Sequence, residues 1–329
     1  MAPNLKKGPT IYENGQTEEK LEKLVPPQAN PWKYQFIYPA VLYLITAHVL
    51  GVYALYCLYY NWRSVRLATV HYNLAVYVFA MQGVTAGAHR LWSHRSYKAT
   101  TPLKVLLVLG QSMSMQYSVL WWAITHRLHH KFSDTDADPH NSARGFFFCH
   151  IGWLMVKPHP EALKRRKFVD MSDLKRDPLL VFQRKHMLII TIIMAYVVPI
   201  LTPVIFWSEN FFLSWHINKL RIIMVMNATF SINSFAHRWG TKPFDESIEA
   251  TSSGLVSNLT LGEGWHNFHH VFPWDYSHDE LGSHLDLTTK LIKMFAKIGW
   301  AYDLKTVSRN VINIRASRCG DGTIIKKAE

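Results

Sequence analysis

Histidines occur in this chain in three clusters whose spacing is typical of metal ligands. The clusters are His89-Arg-Leu-Trp-Ser-His94, His126-Arg-Leu-His129-His130 and His266-Asn-Phe-His269-His270. Positions i, i+3 and i+4 share one face of a helix, so the second and third clusters each present three imidazoles in one direction. His89 and His94 are five residues apart and share a direction only if their helix bends or ends between them. A single further candidate, His237, lies one helical turn after Asn233.

The number of clustered histidines indicates two metal ions rather than one. With 18 histidines in 329 residues, composition alone would place about one histidine in these clusters, and they hold eight. Neutral imidazole binds iron, zinc, copper and nickel, and eight or nine imidazoles exceed the needs of a single ion. No cysteine accompanies them, which disfavours a structural zinc site. The sequence therefore predicts a centre of two metal ions.

Histidines outside these groups are interpreted as surface or core residues, because a single histidine is more often structural than catalytic. Among them are His48, His71, His140, His150, His159, His216, His278 and His284. None of them is assigned to the metal centre.

The composition favours a protein that lies in a membrane. Hydrophobic residues make up 49% of the chain and charged residues only 18%, a more apolar balance than that of an average soluble domain. The formal net charge of +13 suits an anionic membrane surface or a phosphate-bearing ligand. No nucleic-acid-binding motif is visible, so we expect no nucleic-acid partner. The cysteines Cys57, Cys149 and Cys319 are far apart and predict thiols rather than disulfides.

Four segments are long and apolar enough to cross a hydrocarbon core of about 30 Å. They are residues 35–60, 67–88, 187–207 and 211–236. The fourth contains Lys219 and Arg221, whose side chains we expect to extend to the far interface. The polar segment 126–186 is rich in Lys and Arg and is therefore predicted to be cytosolic.

A further apolar segment, residues 103–122, decides whether the histidine clusters can meet. A single membrane crossing here would put His94 and His126 on opposite faces of the bilayer. We therefore expect this segment to lie at the interface or to re-enter the same side. The predicted fold class is an all-α integral membrane protein with four transmembrane helices and a dimetal site.

The clusters and their flanking motifs resemble those of the stearoyl-CoA desaturase family, which are acyl-CoA desaturases. The matching flanking motifs are Thr85-Ala-Gly-Ala-His89, Asp136-Ala-Asp-Pro-His140-Asn141, Gly145-Phe-Phe-Phe148 and Gly264-Trp-His266. Two further motifs are similar to insect members, particularly those of moths: Phe272-Pro-Trp-Asp-Tyr276 and Gly299-Trp-Ala-Tyr-Asp-Leu-Lys305. The resemblance covers roughly residues 35–320.

The resemblance implies an oxygen-dependent fatty acyl-CoA desaturase that introduces a Δ9 or Δ11 double bond at a centre of two iron ions (Fe2+). The implied metal ligands are His89, His94, His126, His129, His130, His237, His266, His269 and His270, with Asn233 acting through a water. Implied partners are fatty acyl-CoA, O2, membrane lipid and a separate cytochrome b5 as electron donor. Similarity to moth members suggests a role in sex-pheromone or unsaturated fatty acid biosynthesis.

The resemblance also implies a cytosolic helical cap that holds the dimetal site, a location and a domain organisation. The protein would be a multi-pass protein of the endoplasmic reticulum membrane, with both termini in the cytosol. Residues 1–33 are polar, lack the apolar core of a signal peptide and predict a disordered cytosolic N-terminus. Residues 34–320 would form the fatty acid desaturase domain, and residues 321–329 a polar C-terminal tail.

Positions that match the family's substrate tunnel are implied as well. They are Gln116, Trp122 and Thr229 at the bend of the tunnel, Tyr77 and Met81 near its closed end, and Lys157 near the phosphates of CoA. The chain departs from the family in Trp121-Trp122-Ala123-Ile124-Thr125, where an Arg-Asp pair that contacts CoA is usual. Met81 is bulkier than the small residue often found there, which predicts a shorter tunnel and a preference for C14–C16 chains.

Two other functions remain open from the sequence. A di-iron hydroxylase or acetylenase would use the same ligands and would be distinguished by its products. A non-catalytic membrane transporter or binding protein would need no metal, so metal analysis separates it from an enzyme.

Overall fold

A computed structural model of the chain describes residues 32–278 and 286–324. Nearly all of the predicted N-terminal disorder falls on residues 1–31, which lie outside these ranges, as do His284 and residues 325–329 of the predicted tail. The described residues are mostly helical and include one two-stranded sheet. The helical class predicted from the sequence is confirmed.

The α-helices of the described residues are numbered in chain order. They are α1 (Tyr38–Asn61), α2 (Leu67–Gln82), α3 (Thr101–Met113), α4 (Val119–Phe132), α5 (Phe146–His150), α6 (Pro160–Arg165), α7 (Ser172–Arg176), α8 (Pro178–Lys185), α9 (Met187–Ile192), α10 (Val198–Trp207), α11 (Phe211–Ser234), α12 (Gly254–Thr260), α13 (His266–Val271), α14 (Leu287–Lys297) and α15 (Arg309–Cys319). Two π-helical segments, Gly83–Ser93 and Ile193–Val197, continue α2 and join α9 to α10. Short 3-10 helices are Trp62–Ser64, Ser142–Arg144, Gly152–Met155, Arg166–Phe168 and Phe235–His237. Strands β1 (Lys98–Ala99) and β2 (Ala301–Tyr302) pair in antiparallel fashion.

Two helical segments of the described chain are long and apolar enough to cross a membrane, Tyr38–Ser64 and Met187–Trp207. In the most apolar 18-residue stretch of each segment, only 17% of the first and 22% of the second is buried inside the protein. Their apolar side chains therefore face mostly outward, as in helices that contact lipid rather than a protein core. Pro199 and Pro203 lie in the second segment, whose π-helical turn ends just before Pro199.

The second and fourth predicted spans also coincide with helices. α2 has 16 residues and continues directly into the π-helical segment Gly83–Ser93. α11 has 24 residues, and its apolar character is reduced by Lys219 and Arg221. Helices thus occupy all four predicted positions, while membrane crossing by each of them stays a prediction.

The prediction that Arg221 extends to the interface is wrong. Its side chain is 3% exposed, and it donates to the carbonyl oxygens of Met113 and Ala195 at 2.9 and 3.2 Å. Met113 is the last residue of α3, so its carbonyl has no partner within that helix and is free to accept. Lys219 lies against the rings of Tyr196 and Trp215 instead of bonding to these carbonyls.

The apolar segment after the first cluster folds as two helices with a sharp turn between them. α3 ends at Met113 and α4 begins at Val119. In the turn, Met115 and Tyr117 both have φ of 61°, and the side-chain amide of Gln111 donates to the Tyr117 carbonyl at 3.0 Å. The segment predicted not to cross the membrane is therefore broken into two helices, and neither forms a single continuous crossing helix.

α3 packs directly against the π-helical segment because both carry glycine at the contact. A Cβ atom on Gly83 would lie 1.9 Å from the backbone nitrogen of Gln111, so no larger residue fits there. At the end of the π-helical segment, the guanidinium of Arg127 in α4 donates to the Ser93 carbonyl at 2.9 Å and to Asp173 at 2.7 Å. These contacts fix α3, α4 and the π-helical segment as one unit.

Candidate metal centre

The nine histidines implied as ligands converge in two adjacent sets. The first set consists of His89, His94, His126, His130 and His269, and the second of His129, His237, His266 and His270. Within each set the potential ligand atoms lie within 4.8 Å of one another. Imidazoles from distant stretches of the chain therefore meet at one place, as a dimetal centre requires.

The distances between ring nitrogens fit ligands of a common ion. The close Nε2–Nε2 pairs are His89–His269 at 3.0 Å, His94–His126 at 2.8 Å, His130–His269 at 2.9 Å, His237–His266 at 3.1 Å, His266–His270 at 3.0 Å and His129–His270 at 3.3 Å. Metal–imidazole bonds of about 2.0–2.1 Å, with angles of about 90–110° between ligands, would separate two nitrogens by about 2.9–3.4 Å. Nε2 of His269 faces two other Nε2 atoms at once, and hydrogen bonds among neutral rings account less well for such convergence than a central cation does.

The π-helical segment explains how His89 and His94 can act together. They are five positions apart, a spacing that would direct their side chains apart on an α-helix. In the structure the amide of His94 donates to the carbonyl of His89 at 3.1 Å, an i to i+5 bond. This wider turn brings both imidazoles into the first set.

Each of the other two clusters contributes to both sets. On α4, His126 and His130 are one turn apart and belong to the first set, while His129 belongs to the second. On α13, His269 belongs to the first set. His266 and His270, which are one turn apart, belong to the second set. The i, i+3, i+4 spacing thus lets one short helix provide ligands to two neighbouring ions.

Two buried carboxylates contact histidines of these sets at Nδ1, the ring nitrogen opposite the Nε2 that faces the other rings. Oε2 of Glu263 lies 2.8 Å from Nδ1 of His89, and Oδ2 of Asp138 lies 2.9 Å from Nδ1 of His129. Metal-binding histidines are commonly oriented by such carboxylates. Sequence reasoning missed both residues, although Asp138 lies inside a matching motif and Glu263 directly precedes another.

Two histidines that the sequence did not assign to the centre lie in contact with these carboxylates. Nδ1 of His278 is 3.1 Å from Glu263, and Nδ1 of His140 is 3.7 Å from Asp138. Burial, the largest effect on each, lowers the pKa of both imidazoles to about 3. Spacing could not reveal them because each stands alone in the sequence.

Burial keeps most of the imidazoles in the two sets neutral. It lowers the pKa of six of them well below the usual 6.5, and repulsion from neighbouring histidines lowers it further; these are His94, His126, His130, His266, His269 and His270. Burial also acts on His129, but there the carboxylate of Asp138 outweighs it and raises the pKa. Neutral imidazole is the form that binds a metal ion, so this donor set fits two metal ions.

A cavity of about 260 Å³ adjoins the centre. His126 and Asn233 line it together with the three residues implied for the bend of the tunnel, Gln116, Trp122 and Thr229. Nε2 of Gln116 donates to Oγ1 of Thr229 at 2.9 Å, and Nε1 of Trp122 donates to Oε1 of Gln116 at 3.2 Å. Among the described residues, no Asp, Glu, Lys or Arg lines this cavity. It therefore suits an uncharged, largely apolar chain.

Aromatic rings occupy the stretch in which the chain departs from the family. The rings of Trp121 and Trp153 stack with centroids 5.9 Å apart, and both line the cavity. Ile124, at the position of the usual arginine, is 3% exposed and packs in the protein core. The stretch thus offers the cavity an aromatic wall instead of an ion pair.

The remaining predicted substrate residues do not line this cavity. Tyr77 and Met81 belong to an apolar cluster with Val225 and Ala228, and Met81 is fully buried. The Tyr77 hydroxyl donates to the carbonyl of Leu259 at 2.6 Å. Lys157 is exposed on the surface after the 3-10 helix Gly152–Met155.

Known proteins similar to this chain include enzymes that act on fatty acyl-CoA. A family model described as fatty acid desaturase matches residues 64–286. The (11Z)-hexadec-11-enoyl-CoA conjugase of Bombyx mori is 48% identical over 303 residues, which cover 92% of this chain and 91% of that protein. The acyl-CoA Delta(11) desaturase of Choristoneura rosaceana is 48% identical over 94% of this chain and 91% of its own length. The acyl-CoA Delta-9 desaturase of Acheta domesticus is 42% identical over 98% of this chain and 92% of its own length.

Proposed function

This chain belongs to the fatty acid desaturase family, and on that premise we propose that it introduces a Δ11 or Δ9 double bond into a saturated C14–C16 acyl-CoA. The observation that carries the proposal is the convergence of nine imidazoles beside an apolar cavity. The names of relatives from moths and a cricket, which include Δ11 and Δ9 desaturases, support these two positions. Similarity to moth proteins supports a role in sex-pheromone or unsaturated fatty acid biosynthesis.

The reaction removes two hydrogen atoms from adjacent methylenes. One acyl chain, O2, two electrons and two protons yield one olefin and two water molecules. When bound, the two iron ions supply the activation of O2 that attack on an unactivated methylene requires. The nine histidines would hold the ions, and Asn233, which lines the cavity one turn before His237, would hold a water bound to one of them.

The protein's own contribution is to position the acyl chain and to keep water away from it. The side chain of Gln116 links Trp122 to Thr229, so the cavity wall is held in one shape by hydrogen bonds between α4, α11 and the turn before α4. The ring of Trp122 also stacks on His126 at 4.9 Å. A chain lying along this wall would have one methylene pair near the metal centre, which fixes the position of the double bond.

The cofactors, partners and location are proposed on the same basis. We propose two Fe2+ ions, a fatty acyl-CoA substrate, O2, and a separate cytochrome b5 as electron donor. The +13 net charge supports contact with anionic partners such as CoA phosphates, and Lys157 is exposed and accessible to them. Four membrane spans in the endoplasmic reticulum, with both termini cytosolic, would place the centre at the cytosolic face.

Expression in a desaturase-deficient yeast tests the proposal. We expect C14–C16 monoenes whose double bonds map to Δ11 or Δ9 by mass spectrometry of derivatised lipids. A variant with His94→Ala and His126→Ala should make none. Hydroxylated or acetylenic products would contradict desaturation and favour the alternative oxidases, whereas conjugated dienes would indicate an activity like that named for the Bombyx mori relative.

Metal analysis of the purified full chain tests the cofactor. We expect about two iron ions per chain after anaerobic loading. A chain that stays metal-free after loading would contradict the enzyme and support a membrane binding protein or transporter.

A further inference from the structure

Each histidine set is backed by one buried carboxylate that touches a ligand histidine and a second, non-ligand histidine. Glu263 serves the first set and Asp138 the second. The two carboxylates are 3% and 2% exposed. Glu263 and Asp138 come from different parts of the chain. The same arrangement of one carboxylate and two histidines beside each set therefore indicates that both sets need a buried carboxylate.

Glu263 uses its two oxygens for different partners. Oε1 accepts from Nε of Arg90 at 2.9 Å, while Oε2 faces Nδ1 of His89 at 2.8 Å and Nδ1 of His278 at 3.1 Å. Arg90 is fully buried and also donates to the carbonyl of Tyr276 at 2.8 Å. The arginine therefore anchors one oxygen and leaves the other directed at the two imidazoles.

Asp138 is fixed by the backbone instead of by an arginine. Its Oδ2 accepts from the amide of Asp134 at 2.9 Å and faces Nδ1 of His129 at the same distance. Its Oδ1 accepts from the amide of His140 at 3.1 Å. The loop after α4 thus directs this carboxylate at the ligand ring of the second set.

An ionised carboxylate accepts hydrogen bonds and cannot donate them. Each carboxylate therefore requires a proton on Nδ1 of the ring that it faces. In a neutral imidazole this leaves the lone pair on Nε2. For His89 and His129, Nε2 is the atom that points toward the other ligands of the set.

We propose that Glu263 and Asp138 are positioning residues, one for each metal ion, that hold His89 and His129 in the tautomer whose Nε2 can bind the metal. This inference rests on the proposed di-iron function. Neither residue touches the substrate cavity. Their effect is on metal binding, and it reaches the reaction only through the ligands.

Pairs of substitutions in the full chain test whether the hydrogen-bond acceptor of each carboxylate or the size of its side chain controls metal binding. Glu263→Gln keeps the size but can place an N–H group against Nδ1 of His89, which favours the wrong tautomer. Glu263→Asp shortens the side chain but keeps an acceptor. Asp138→Asn and Asp138→Glu form the matching pair for the second set. Glu161→Gln is the control, because Glu161 is 4% exposed and bonds to Lys164 rather than to a metal ligand.

Bound Fe2+ is measured by anaerobic titration of each variant against a chromogenic chelator. We expect Glu263→Gln and Asp138→Asn each to weaken one of two iron sites by about 10- to 100-fold. The double variant should weaken both sites, and Glu161→Gln neither. The Mössbauer spectrum of the loaded single variants should lose a different iron environment in each case. Glu263→Asp and Asp138→Glu should retain iron better than the amide variants.

Two results would overturn the proposal while leaving the proposed function intact. One is a wild-type chain with two iron ions whose amide variants bind both ions equally tightly. The other is an amide variant that retains iron better than its carboxylate counterpart, which would show that size matters and acceptor character does not. A wild-type chain that binds fewer than two iron ions would instead contradict the proposed function itself. If Glu263 variants do not fold, the Asp138 pair decides by the same criteria.

Discussion

Nε2 of His94 lies 2.8 Å from Nε2 of His126, although 32 positions separate the two residues in the chain. Between them the chain forms β1, α3, a sharp turn and the start of α4. A continuous membrane-crossing helix over this stretch would have kept the two rings a bilayer apart. The contact therefore places the first two histidine clusters on the same side of any membrane that the protein spans.

The His94–His126 contact predicts that either ring is essential to the first metal ion. We expect His94→Ala and His126→Ala each to reduce bound iron from about two ions per chain to about one and to reduce olefin formation by at least about 100-fold. Iron content of the purified chain and lipid analysis of expressing yeast provide the measurements. His71→Ala, on the exposed side of α2, should change neither value. Full iron content in His94→Ala would show that this ring is not a ligand.

The hydrogen bond between Gln116 and Thr229 predicts where the double bond forms. Thr229→Val keeps the side-chain shape but removes the 2.9 Å bond, which is worth about 0.5–1.5 kcal/mol. We expect the ratio of double-bond positions in the product to change by about 2- to 10-fold, because the wall is less firmly held. Double-bond mapping of yeast lipids measures this ratio.

Thr191→Val provides the matched control for Thr229→Val, since Thr191 also lines the cavity without a described bond to Gln116. It should leave the product ratio unchanged. An equal change in both variants would attribute the effect to general polarity of the cavity and not to the Gln116 contact.

Met81 offers a test of the predicted chain-length preference. It is fully buried beside Val225 and Ala228, and Ala228 directly precedes Thr229 of the cavity wall. Met81→Ala should open space there and shift the products from C14–C16 toward C18. Gas chromatography of lipids from cells fed C14, C16 and C18 acids would show the shift.

Truncating a buried methionine can lower the free energy of unfolding by about 2–5 kcal/mol. A second methionine of the apolar cluster that contains Met81 controls for this loss of stability. Met113→Ala removes a similar volume from the same cluster and should lower the amount of folded protein without changing chain-length preference. An unchanged preference in Met81→Ala would remove Met81 from the substrate site.

The convergence of most candidate metal ligands could be predicted from the sequence because their spacing carries the information. His126, His129 and His130 are close along the chain, so a helix alone makes them neighbours. The contacts of Glu263 with His89 and of Asp138 with His129 arise only when separate elements pack together. Neither carboxylate has a spacing that distinguishes it from a surface residue.

The contacts made by the charged residues in α11 were harder to predict for a different reason. Hydropathy treats Arg221 as a charge that must reach water. One of its actual partners, the carbonyl of Met113, is available because α3 ends at that point and packs beside α11. The π-helical segment that unites His89 with His94 begins at Gly83, which packs against the backbone of α3, and no local pattern in the sequence specifies this tertiary contact.

Acid should destabilise the metal-free protein. Burial, followed by repulsion between the rings, lowers the pKa of His94, His126 and His269 well below 6.5. Below pH 6.5 the unfolded chain therefore binds protons that the native chain does not, so the free energy of unfolding falls as pH falls, by up to about 1.4 kcal/mol per pH unit for each such ring. Above pH 6.5 this contribution is fully present. His129, whose pKa is raised by Asp138 against the effect of burial, acts in the opposite direction.

Thermal unfolding of the metal-free and iron-loaded chains at pH 7.5, 6.5 and 5.5 measures the effect. We expect the Tm of the metal-free chain to fall across this range, and the extra stability of the loaded chain to shrink in parallel because protons compete with iron for the same nitrogens. The variant with His94→Ala and His126→Ala has lost two of the buried rings, so its Tm should depend less steeply on pH. A metal-free chain whose Tm rises toward pH 5.5 would show that the clustered histidines are already protonated in the native state, and a centre built from neutral imidazoles would then have to be abandoned.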